Sequence, residues 1–90
     1  MNTYSTKSNI AADFTIDYAS ALPAGYGHKE ITVSVNYEGK LKNFTAITSN
    51  MHAYDQATDL EGQEKYEALY ELVDGSLNDQ ISEWIYNEKA

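Results

Sequence analysis

The sequence predicts an α+β fold, an antiparallel three-stranded meander with two acidic C-terminal helices packed on one face. Three observations lead there. Apolar residues alternate with period two over 13–18 and 30–37. The tight-turn signal Glu38-Gly39 then separates the second of these runs from a third strand-like stretch, 40–48. Beyond Ser49 the apolar spacing changes to three and four.

Residues 1–10 are polar and non-periodic, so a flexible, frayed leader is expected. Asp13-Phe14-Thr15-Ile16-Asp17-Tyr18 reads as a half-buried strand, and 20–28, which holds the only proline and two glycines, as a loop. In the clearest strand Ile31, Val33, Val35 and Tyr37 share one face and Thr32, Ser34 and Asn36 the other. A two-residue Glu38-Gly39 turn pairs Val33 with Phe44 and Ile31 with Ala46, and sets Lys42 beside Val35 and Lys40 beside Tyr37. A bulged turn with Gly39 in the left-handed position opposes Val35 to Leu41 instead. The first register is favoured because it keeps Phe44 on the core side.

Residues 50–57 suit a short helical turn, and Thr58-Asp59-Leu60-Glu61 fits a capping box that starts the main helix near Asp59. The apolar stripe Tyr66, Leu69, Tyr70, Val73, Leu77, Ile81, Trp84, Ile85 keeps its phase across Asp74-Gly75-Ser76. Either Gly75 ends one helix and Ser76 caps another, or one long helix tolerates Gly75 at about 1 kcal/mol relative to Ala. A stop signal followed at once by a start signal favours two helices.

Ninety residues suit one domain, 1–90, with a single small core. Without cysteine there is no disulfide framework, thiol nucleophile or thiolate metal site. Neither a secretory leader nor an apolar run of membrane-spanning length is visible, so a soluble cytoplasmic protein is the expectation. The net charge of −8 is lopsided. Residues 1–42 balance four acids with four lysines, whereas 43–90 set ten acids against Lys65 and Lys89. There is no arginine. Direct binding to nucleic acid or to an anionic membrane therefore runs against the charge.

No motif points to catalysis, a cofactor or a metal. His52 and Asp55 lie one helical turn apart but lack a third ligand at a characteristic spacing, so an ordinary surface histidine is the plainer reading. Gly25-Tyr26-Gly27 is a fragment of a phosphate-loop pattern without its third glycine or lysine, and reads as a turn. The carboxylates fall where the helical pattern exposes them, and solvated carboxylates cannot hold a proton at neutral pH. Among the eight tyrosines, Tyr18, Tyr37, Tyr66 and Tyr70 fall on apolar phases, while Tyr4, Tyr26, Tyr54 and Tyr86 are candidates for exposure.

The remaining feature is the run of acids. At about 100° per residue, Glu61, Glu64, Glu67, Glu71 and Asp74 fall in one arc opposite the apolar stripe, about one charge per 5 Å of axis. One DNA strand carries about one per 3.4 Å. Asp79, Glu83 and Glu88 extend the arc, and Asp55 and Asp59 thicken its start. An ordinary wet face mixes lysines among its acids, whereas here Lys65 stands alone, so the arc is either solubilising or a surface for a basic partner. The partner-binding candidates are Glu61, Glu64, Glu67, Glu71, Asp74, Asp79 and Glu83.

In size, in lacking Cys and Arg, in its hairpin EITVSVNYEGKLKNF and in its acid-rich half from Asp55 to Glu88, the chain resembles a group of small acidic phage proteins. Phages and mobile elements use these against host nucleic-acid machinery; they include anti-CRISPR inhibitors and DNA mimics. The resemblance implies non-catalytic, stoichiometric docking on a basic, nucleic-acid-binding surface of a host nuclease or similar complex, in the host cytoplasm. The alternative is a small structural or assembly protein that forms a homodimer through exposed tyrosines and a sheet edge.

Overall fold

A computed structural model describes residues 2–6 and 12–89. Among these residues four strands, β1 (Tyr4–Ser5), β2 (Asp13–Pro23), β3 (Lys29–Tyr37) and β4 (Lys40–Thr48), precede three helices, α1 (Met51–Thr58), α2 (Gly62–Leu72) and α3 (Asp74–Lys89). The strands form one antiparallel sheet in the order β1-β2-β3-β4. The fold is thus α+β with an antiparallel meander, but with four strands rather than three and three helices rather than two.

The additional strand lies within the expected frayed leader. Tyr4 pairs with Phe14 and Ser5 with Asp13, and the Tyr4 ring packs edge-on against Tyr70 at 4.8 Å. Two residues are too few to show a period, which is why the pattern missed them. Met1 and positions 7–10 of that leader lie outside the described residues. β2 also runs further than expected, because Ala19 and Ala21 continue its inward face opposite Val33 and Ile31. The loop shrinks to residues 24–28, closed by hydrogen bonds between Ala24 and His28 and between His28 and Gly25. An extra residue, Asp17, interrupts the register between Ile16 and Tyr18. That bulge turns Tyr18 off the core phase and leaves it half exposed.

The β3–β4 hairpin takes the two-residue turn. Val33 faces Phe44, Ile31 faces Ala46, Val35 faces Lys42 and Tyr37 faces Lys40. Glu38 (φ 51°) and Gly39 (φ 83°) are both left-handed, as a turn matching the strand twist requires. Asn36 Oδ1 accepts from the Gly39 N–H.

The predicted helix starts need correction. Thr58 does not open a helix: it ends α1 and donates its hydroxyl to the Asp55 carbonyl. α1 itself is capped by Asn50, whose Oδ1 accepts from Ala53 N at 3.1 Å. α2 begins only after an extended Glu61, with Gly62 at φ 61°, a geometry that favours glycine. The two-helix reading holds, but the break falls at Val73 (φ −128°, ψ 15°) rather than at Gly75. Gly75 lies in the first turn of α3, where N–H groups have no partner within the helix in any case. The apolar phase survives the kink because Leu77 N still donates to Val73 O at 2.9 Å.

The helices cover one face of the sheet. Between the layers are Phe14, Ile16, Ile31, Val33, Val35, Leu69, Tyr70, Leu77, Ile81 and Ile85, all but sealed from solvent. The opposite face carries a polar ladder: Thr32 with Thr45, Ser34 donating to Asn43, and Asn36 donating to Asp17.

Candidate functional site

The structure divides the predicted acidic arc into groups with different surroundings. Glu67, expected to face solvent, is buried. Its carboxylate accepts from Asn2 N (2.8 Å), Asn2 Nδ2 (3.0 Å) and Gln63 Nε2 (3.0 Å), while Gln63 Nε2 also reaches the Ile16 carbonyl at 2.6 Å. The Gln63 hydrogen bond leads in holding this carboxyl below the usual glutamate range, against desolvation, and the Asn2 bonds add to it. Glu67 is therefore a staple between α2 and the N-terminal segment, and it leaves the set of partner-binding candidates. The arc failed here because Glu67 lies on its flank, and β1 brings Asn2 over that flank.

Glu71 is exposed and accepts from the Tyr4 hydroxyl at 3.0 Å. Burial first, and Glu71 second, push the Tyr4 phenol far above its ordinary pKa. Asp74 is half-buried in the first turn of α3, where the helix dipole favours an anion. Glu88 pairs with Lys40 at 2.6 Å, the one salt bridge among the described residues. That contact lowers the glutamate pKa and raises the lysine pKa, each chiefly through their shared hydrogen bond.

Four predicted acids remain: Glu61 and Glu64 at the start of α2, and Asp79 and Glu83 on α3. All four are exposed, and none of their carboxylates takes a hydrogen bond or ion pair among the described residues. With Glu67 removed, the exposed acids Glu61, Glu64 and Glu71 span eleven residues, about one charge per 7.5 Å. That is half the linear density of a DNA strand. The arrangement offers net negative charge rather than a copy of phosphate spacing.

Two grooves of about 450 Å³ flank the helices. One lies between the free part of β2 and the α1–α2 connection, with Tyr18 and Tyr66 packed at 4.9 Å, Tyr54, and Lys65 on its wall. The other runs between β4 and α3, with Phe44 and Trp84 at 5.7 Å and Lys42 and Glu83 on its rim. Trp84, which the stripe placed among the core residues, is only half-buried because this groove opens beside it.

The tyrosines also rearrange. Tyr4, a candidate for exposure, packs against Phe14 and Tyr70, and Tyr54 lies half-buried under the Lys29 ammonium. Tyr26 and Tyr86 are exposed as expected. His52 lies exposed on α1 with its Nε2 at 3.3 Å from Gln56 Nε2. Among the described residues no group of three or more His, Asp or Glu side chains is placed to hold a metal ion. No helix among them is long and apolar enough to cross a membrane. Comparison with protein-family models, with curated proteins and with solved structures gives no match for this chain.

Proposed function

We propose that the chain is a non-enzymatic acidic binding protein, a stoichiometric inhibitor that docks on a basic, nucleic-acid-binding surface of a nuclease or similar complex in the host cytoplasm. The observation that carries this reading is the set of exposed, unpaired acids on α2, α3 and the residue just before α2, Glu61, Glu64, Asp79 and Glu83. Evenly mixed surface charge would serve solubility, whereas one-signed charge concentrated on a helical layer also steers association with a positive partner. Glu71 and Asp74 contribute to the same field but also serve local structure.

The test replaces Glu61, Glu64 and Glu83 with Gln and Asp79 with Asn in one chain. Proteins retained from host lysate by immobilised wild type are identified, and their affinities for both chains are measured at low and high salt, with duplex DNA as competitor. The proposal expects binding to basic partners to fall at least tenfold in the variant, to weaken with salt, and to be displaced by DNA. Equal affinity of the two chains reduces the acids to a solubilising surface.

A further inference from the structure

The sheet has two free edges, and they are built differently. Beyond the two residues that pair with β1, the β2 edge is guarded three ways: the Asp17 bulge, the Gln63 amide on the Ile16 carbonyl, and Pro23, which lacks an N–H. β4 has no such guard. Its nine residues hold one unbroken register with β3, and the strand contains no proline. The two-residue turn makes Tyr37 and Lys40 a hydrogen-bonded pair, and such pairs alternate along an antiparallel ladder. Lys40, Lys42, Phe44, Ala46 and Thr48 therefore direct their backbone groups to β3. Leu41, Asn43, Thr45 and Ile47 direct theirs outward, where no hydrogen bond among the described residues takes them up.

We propose that β4 pairs antiparallel with β4 of a second copy of this chain, across a two-fold axis through Phe44. Centring on Phe44 is the one choice that pairs all nine residues. It sets Leu41 opposite Ile47, Asn43 opposite Thr45, Lys42 opposite Ala46, Lys40 opposite Thr48, and Phe44 opposite itself. The four outward-facing residues of each copy then exchange about eight main-chain hydrogen bonds. Leu41 is 61% and Ile47 56% exposed, and they are the large apolar side chains that β4 leaves on the open face; this register covers each with the other.

Charge agrees with the same register. Lysines turned inward along an edge are an ordinary defence against pairing. Here Lys40 is neutralised by Glu88, and Lys42 shares the groove rim with Glu83 and lies 5.7 Å from the Phe44 ring centroid. No like charges stand directly opposed across the pair. The axis is perpendicular to the sheet, so both helical layers fall on one side and the two β4–α3 grooves meet. Lys42 and Glu83 from each copy then balance locally. The pairing rests on backbone and side-chain complementarity along β4, so it stands or falls apart from docking by the acids.

The experiment is sedimentation equilibrium on the full chain over a concentration series, with circular dichroism to confirm folding. Wild type should approach twice the 10.1 kDa chain mass. Leu41→Lys with Ile47→Lys in one chain sets like charges opposite one another at both positions and should give monomer. Leu41→Lys with Ile47→Glu sets opposite charges there and should restore the dimer. In wild type, amide hydrogen exchange at Leu41, Asn43, Thr45 and Ile47 should slow as concentration rises, a reading that needs no variant. Monomeric wild type up to its solubility limit overturns the proposal. A dimer that survives the paired lysines, loss of the dimer in both variants, or concentration-independent exchange at those four amides does so too.

Discussion

Replacing Glu67 with Ala separates a structural acid from a surface one. The side chain is 6% exposed and accepts three hydrogen bonds as a carboxylate. Bonds to a charged acceptor are worth about 1.5–3 kcal/mol each when broken, but Asn2 is exposed and its donors regain water. The contributions also share one acceptor, so the total loss is about 2 kcal/mol. In a domain of this size each kcal/mol moves the midpoint by about 4–8 °C, so thermal unfolding at pH 7 should fall by about 10 °C. Glu64→Ala, on the exposed surface, serves as the control and should shift the midpoint little. The pH dependence has a definite sign. Because the folded pKa of Glu67 lies below the unfolded value near 4.5, its contribution is complete above that value and is lost as pH falls through the folded pKa. The gap between wild type and variant should therefore be widest at neutral pH and close in acid. A Glu67→Ala midpoint matching Glu64→Ala at pH 7, or a gap that widens in acid, refutes the staple.

Two further outcomes follow from packing and backbone. Ile81 is sealed in the core whereas Trp84 borders an open groove, so Ile81→Ala should cost about 3 kcal/mol and Trp84→Ala about 2, despite the larger ring; chemical denaturation of both reverses this order if Trp84 is a core residue. At the hairpin turn, Glu38→Asn should raise the melting midpoint by a few degrees, since Asn tolerates φ 51°, while Gly39→Ala should cost about 1 kcal/mol and lower it; an unchanged midpoint in both denies the left-handed turn.

Period and turn chemistry determined much of this protein in advance. The alternation of Ile31, Val33, Val35 and Tyr37 and the Glu38-Gly39 pair specified the central hairpin, and keeping Phe44 on the core side favoured, over a bulged turn, the register that the structure takes. The three-and-four spacing from Tyr66 to Ile85 likewise specified which helical faces meet the sheet. Local signals misled where they competed with tertiary structure: Thr58 caps well on paper, but the chain must turn through 59–61 before α2 can lie on β2. The candidate site was legible as net charge and not as a surface. Helical geometry placed Glu61, Glu64, Glu67 and Glu71 on one arc, yet a two-residue strand remote in sequence brought Asn2 and Tyr4 across α2. Glu67 became structure and Glu71 acquired a tyrosine partner, while Glu61, Glu64, Asp79 and Glu83 stayed in water. Periodicity reports which way a side chain leaves its own element. Only the assembled layers decide what lies there to meet it, because that contact joins residues 65 or more positions apart.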